Sequence, residues 1–184
     1  MKLFNYLEGL FNKKNFISTF MESFSSELEI AIDSLKVLFD KHNIDFIIIG
    51  GAATFLHGYH RTTEDVDIII KRNDFDKLKN LPIGYIREIS KGTFRRWKLT
   101  DTNSLYIEIL VEGDKFKNSV IPSFSSIDNR DHLIDLMDLI NLKLSAGRTQ
   151  DLADVEGLIK VNNLSNTFID NEIYLSCWNK VNGE

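Results

Sequence analysis

The chain has 184 residues, 43% hydrophobic and 27% charged, with 10 Gly and 2 Pro; this is the profile of one folded domain and excludes a disordered or long multidomain chain. Its 22 basic and 27 acidic residues leave a net charge of −5, which argues against binding nucleic acid through bulk positive charge and leaves only a local basic patch for that role. The single cysteine, Cys177, cannot make an internal disulfide. The apolar N-terminal stretch is broken by Asn5 and Glu8 without a small-residue cleavage site, and no apolar run approaches the ~20 residues that cross a bilayer. A cytoplasmic protein with no membrane contact is expected.

In chain order, the first expected element is a helix over 25–42, where Leu28, Ala31, Ile32, Leu35, Leu38 and Phe39 recur at steps of three and four. Asp45 to Ile49 reads as a buried central strand that stops at Gly50-Gly51, followed by a short helix ended by Gly58. Strand character returns from Val66 to Ile70. A second short helix is expected over 73–81 with Asn73 as its cap, then strands over 85–89, 93–99 and 105–111. Beyond Pro122 the pattern turns helical: Leu133, Leu136, Met137, Ile140 and Leu144 form a stripe ending near Gly147, a second helix runs over about 149–161, and a last one over 169–178. The expectation is one α/β (α+β) unit over 1–184: a helical N-terminal segment over 1–43, a sheet-containing core over 44–121 and a helical C-terminal part over 122–184.

Two adjacent glycines between a buried strand and a helix, Gly50 and Gly51, can expose backbone N–H groups to an anion such as phosphate, although such a pair is more often just a tight turn. Asp65 and Asp67 carry a sharper signal. Two residues apart in a strand, they project from one face with Cα atoms roughly 6.5 Å apart. Paired carboxylates repel unless a cation lies between them, and Mg²⁺ suits such hard oxygen ligands. Glu108 stands inside another apolar strand, where an acid either faces water at an edge or is held as a ligand. Three such carboxylates on neighbouring strands are what two-metal phosphoryl or nucleotidyl transfer requires.

The residues Gly50-Gly51-Ala52-Ala53, His57-Gly58, Arg61-Thr62-Thr63-Glu64-Asp65-Val66-Asp67 and Glu108 resemble the nucleotidyltransferase superfamily that includes DNA polymerase beta, with its glycine turn, Asp-x-Asp strand and later strand acid. The segment from Asn141 to Val155, with Lys143, Arg148, Asp151 and Asp154, is similar to the Lys…Arg-x-x-Asp-x-x-Asp segment of small bacterial nucleotidyltransferase-like proteins of the abortive-infection toxin type. The resemblance implies a mixed-sheet nucleotidyltransferase fold flanked by helices. It also implies transfer of a nucleoside monophosphate from an NTP to an acceptor hydroxyl, with tRNA or a protein as acceptor and a cognate toxin or antitoxin as partner. Asp65, Asp67 and Glu108 are then the catalytic residues and the ligands of two Mg²⁺ ions. Gly50, Gly51, Thr63, Lys143 and Arg148 face the nucleotide. Two departures stand out: Gln150 replaces a second basic residue, and Glu108 replaces the commoner aspartate.

Independently of that resemblance, Lys143 shares a helix face with Leu136 and Ile140, so it either meets an anion, a nucleotide phosphate or the carboxylate cluster, or snorkels into water. Arg148 either holds phosphate or pairs with Asp151, and Asp151 and Asp154 sit where a helix dipole favours acids. His57 and His60 are expected to pack or hydrogen-bond, and Asp131-His132 lacks the framework of a metal-dependent phosphohydrolase. Two rival functions remain: a catalytically silent binding or antitoxin-type partner of the same fold, and an RNA-binding protein that uses Arg96 and Lys98.

Overall fold

The computed structural model describes residues 13–81, 87–90, 94–98, 105–116 and 119–183. The chain enters through α1 (Lys13–Lys41), longer than the stripe over 25–42 predicts. Leu28, Ala31, Leu35 and Phe39 are fully buried along it. β1 (Phe46–Ile48), α2 (Gly50–Leu56) and β2 (Asp65–Ile70) follow, then a 3₁₀ segment (Arg72–Asn80). That segment starts one residue before Asn73, at an N-cap, Lys71, that makes no side-chain cap, so the capping role expected of Asn73 is not taken up. β3 (Arg87–Ser90), β4 (Phe94–Lys98) and β5 (Tyr106–Val111) sit close to the expected strands. The side chains of Arg96 and Lys98, on which the RNA-binding reading rests, lie outside those described.

Past the short β6 (Lys115–Phe116) and β7 (Ser119–Val120), the structure corrects the sequence reading. The segment after Pro122 is not wholly helical. It first contributes β8 (Asn129–Arg130) and β9 (Leu133–Ile134), and Leu133, assigned above to a helical stripe, belongs to a strand. Strands of two residues are too short to show an alternating pattern. They form because β1 has an open side that the chain covers: Ile48 pairs with Leu133 in parallel, and β8 returns antiparallel to β9. Three helices then follow: α3 (Leu136–Ala146), α4 (Thr149–Asn162) and α5 (Glu172–Asn182).

Among the described residues the main sheet has seven strands, in the order β3-β4-β5-β2-β1-β9-β8. It is mixed: β2 runs parallel to β5 and β1 parallel to β9, while β1–β2, β3–β4, β4–β5 and β8–β9 are antiparallel. Val66, Ile68 and Ile70 on one face of β2 and Ile107, Ile109 and Val111 on β5 are at most 1% exposed. On the opposite face of β2, Ile69 is buried as well, so β2 is covered on both sides where it is apolar and turns acidic only towards its start. That change of polarity along one strand face puts carboxylates at the margin of the core. The helical end is tied back to the loop after α2 by Gly157 on α4, where a Cβ would lie 2.5 Å from the Tyr59 ring; this close approach requires glycine.

Candidate active site

The parallel register of β2 and β5 sets Asp67 directly opposite Glu108, with Asp65 opposite Tyr106. Residues two apart share a strand face, so Asp65, Asp67 and Glu108 meet on one side of the sheet. A carboxylate oxygen from each lies within 4.8 Å of the others. Glu108 is buried at 6% exposure, whereas Asp65 and Asp67 are half-buried. Thr63 holds Asp65 in place, its Oγ1 donating to Asp65 Oδ1 at 3.0 Å. The Asp67 carboxyl is pushed up from 3.8 to about 7, first by burial and then by the charges of Asp65 and Glu108, with Lys143 and Arg148 pulling in the opposite direction. Such a crowd of acids is costly on its own and favourable around a divalent cation. Three hard oxygen donors fit Mg²⁺.

The glycine turn is built against this cluster. Gly50 has φ +65°, and a Cβ there would sit 1.9 Å from Asp67 Oδ2. The residue must therefore be glycine for two reasons: the left-handed backbone and the carboxylate lying against it. A Cβ on Gly51 would lie 2.6 Å from Thr63 Oγ1. The backbone N–H of Ile49 donates to the Asp67 carbonyl at 2.9 Å, and Thr54 Oγ1 donates to the Gly50 carbonyl at 2.8 Å. Gly50, Gly51, Thr63, Asp65, Asp67 and Glu108, far apart in the sequence, are thus one constellation.

Lys143 and Arg148 reach it through their fields. Lys143 is only 4% exposed, which rules out snorkelling into water. Its anionic partner is Asp154 on α4, reached by Nζ at 2.5 Å, with Asp151 at 3.9 Å. Arg148 pairs with Asp151 through Nε and Nη2 at 2.6 and 2.9 Å, the alternative of its two readings that involves no phosphate. Asp154, read from the sequence as a structural acid at a position that the helix dipole favours, is fully buried and also receives Gln150 Nε2 at 3.0 Å and both Nε and Nη2 of Arg61 at 2.6 and 2.8 Å. This bond set pulls its carboxyl below the ordinary value despite burial. The signal was present in the sequence. Asp151, Asp154, Val155, Leu158 and Ile159 are the buried residues of α4, spaced i, i+3, i+4, i+7, i+8 as a core-facing stripe is, so both acids had to meet cations inside. Arg61, part of the motif but given no role above, is the partner that sequence alone could not supply.

His57, His60 and His132 are engaged in packing and hydrogen bonding. His57 Nε2 donates to the Ile134 carbonyl at 2.8 Å, and His60 stacks on Phe55 at 4.6 Å. His132 Nδ1 donates to the Phe46 carbonyl at 3.0 Å and its ring stacks on Phe46.

With this geometry in hand, comparisons with known proteins converge. A family model described as "Nucleotidyltransferase of unknown function (DUF6036)" matches residues 26–175. Among solved structures, an antigenic nucleotidyltransferase-like protein from Paracoccidioides brasiliensis is 18% identical with a TM-score of 0.55, over 86% of this chain and 88% of that one. The antibiotic-resistance factor ANT(2'')-Ia is 10% identical with a TM-score of 0.57, over 87% and 95%. Its complex with adenylyl-2''-tobramycin gives 9% identity and a TM-score of 0.52, over 84% and 98%. At these identities the structural likeness speaks for the fold. No curated protein matches the sequence. No helix among the described residues is long and apolar enough to cross a membrane.

Proposed function

Because the chain belongs to the nucleotidyltransferase family DUF6036, we propose that it moves a nucleoside monophosphate from an NTP to an acceptor hydroxyl at the Asp65–Asp67–Glu108 cluster. The observation that carries this reading is the convergence of three carboxylates within 4.8 Å of one another beside a glycine turn. Those three residues would hold Mg²⁺, two ions in the reading favoured here, which when bound supplies charge stabilisation for the triphosphate and acidifies the attacking hydroxyl. Gly50, Gly51 and Thr63 border the cluster and would receive the triphosphate. Lys143 and Arg148, whose charges lower the Asp67 carboxyl, would offset negative charge developing on the leaving phosphates through their fields alone, their own nitrogens staying on Asp154 and Asp151. Asp67 or Glu108 would accept the proton of the attacking hydroxyl.

For the acceptor we favour tRNA or a protein, in a toxin-like role with a cognate partner. The structure of ANT(2'')-Ia with adenylyl-2''-tobramycin concerns a small-molecule acceptor, and nothing in this chain singles out an antibiotic. The convergence of all three acids weighs against a catalytically silent partner protein. Incubation with each α-labelled NTP, with tRNA and with cell-lysate protein tests the reading. Label should move to one acceptor class and be lost in Asp65→Ala/Asp67→Ala. Absence of both label transfer and calorimetric NTP binding in the intact protein would sink it.

A further inference from the structure

Arg61 joins the two halves of the site. It lies four residues before Asp65 on the segment that also carries Thr63. Its Nε and Nη2 take both oxygens of the buried Asp154, and Nη1 donates to the Thr62 carbonyl at 2.9 Å. A planar fork on a carboxylate fixes orientation as well as charge, which a lysine cannot do. Each of its three side-chain nitrogens therefore has a protein acceptor, and these bonds fix the plane of the guanidinium. At its other end the segment bonds Asp65 through Thr63. Gly51 fits beneath both: a Cβ there would be 3.1 Å from Arg61 Nη2 and 2.6 Å from Thr63 Oγ1. The same Asp154 carboxylate holds Lys143.

We propose that Arg61, locked by Asp154, is a positioning residue for the metal-binding carboxylates: it pins the 61–65 segment against the glycine turn so that Thr63 and Asp65 present one oxygen geometry to the cation. This rests on the nucleotidyltransferase reading of the cluster. The sign of its effect separates it from simple electrostatics. Arg61→Gln removes a positive charge from the segment that carries Asp65, and the field alone then leaves a divalent cation held as well or more tightly; loss of positioning loosens it. Residues that orient metal ligands are worth about tenfold or more in affinity.

The test titrates Mn²⁺ into the full chain, following free Mn²⁺ by electron paramagnetic resonance well below the melting temperature, for wild type, Arg61→Gln and Arg61→Lys. Thermal melts are run on the same samples. Arg61→Gln should bind about tenfold more weakly, and Arg61→Lys, which keeps the charge but loses the fork, should fall between. Affinity that is unchanged or tighter in folded Arg61→Gln overturns the proposal, even if its melting temperature drops, because a merely structural arginine costs stability alone. Should Arg61→Gln not fold, Arg61→Lys decides by the same criterion: weaker Mn²⁺ binding supports positioning and wild-type affinity overturns it. Wild type that binds no Mn²⁺ brings down the reading of the cluster and this proposal with it, whereas wild-type binding matched by both variants removes Arg61 alone.

Discussion

Asp67 is where opposing demands meet in one side chain. Burial and two neighbouring acids raise its carboxyl from 3.8 to about 7, so between those values the folded chain keeps a proton that the unfolded chain has released. By linkage, this group's contribution to stability is present below about pH 4 and is lost as pH rises to about 7, beyond which it is level. In metal-free protein, urea unfolding at pH 5 and pH 8 should show that loss. Asp67→Asn should abolish this part of the slope and raise stability at pH 8 by up to about 4 kcal/mol. A slope that survives the substitution would assign it to other groups. The same proton competes with a bound cation, so divalent affinity should weaken as pH falls below about 7.

At the scale of the elements, a period-two strand and a parallel neighbour do most of the work. β2 puts Asp65 and Asp67 on one face, and its register with β5 brings Glu108 alongside. The helices behind the sheet are secured by local chemistry instead. Asp135 caps α3 by accepting from the Met137 N–H at 2.8 Å. Asn171 caps α5 by accepting from the N–H groups of Ile173 and Tyr174 at 2.8 and 3.0 Å. Tyr174 Oη and Trp178 Nε1 then anchor α5 by donating to the carbonyls of Ser165 and Leu164. Asn171→Ala should therefore cost about 1 kcal/mol in a urea melt and leave Mn²⁺ affinity untouched, since none of these bonds involves the carboxylate cluster. A change in affinity would mean that α5 is coupled to the site.

For the molecule as a whole, a cation that neutralises the cluster binds the folded chain and not the scattered acids of the unfolded one. Mg²⁺ at a hundredfold excess over its dissociation constant should add about 2.7 kcal/mol of stability, visible as a rise in melting temperature that disappears in Asp65→Ala/Asp67→Ala. No rise in wild type would speak against a metal site. Much of this was legible beforehand. The β-branched run before Gly50-Gly51, the Asp-x-Asp strand and the acid inside an apolar strand are local patterns, because strand periodicity and the cost of burying charge act on neighbours in sequence. They announced the fold and which carboxylates to watch. β8 and β9 stayed hidden because two-residue strands carry no period and exist only against the free side of β1. Lys143 announced a need for an anion, but not that Asp154 would meet it. The chain by itself thus determined which side chains are costly to leave unpaired; only tertiary packing, which sets distances between residues far apart in sequence, decided that Arg61, Lys143 and Gln150 share one buried carboxylate while Asp65, Asp67 and Glu108 bring their own within 4.8 Å of one another.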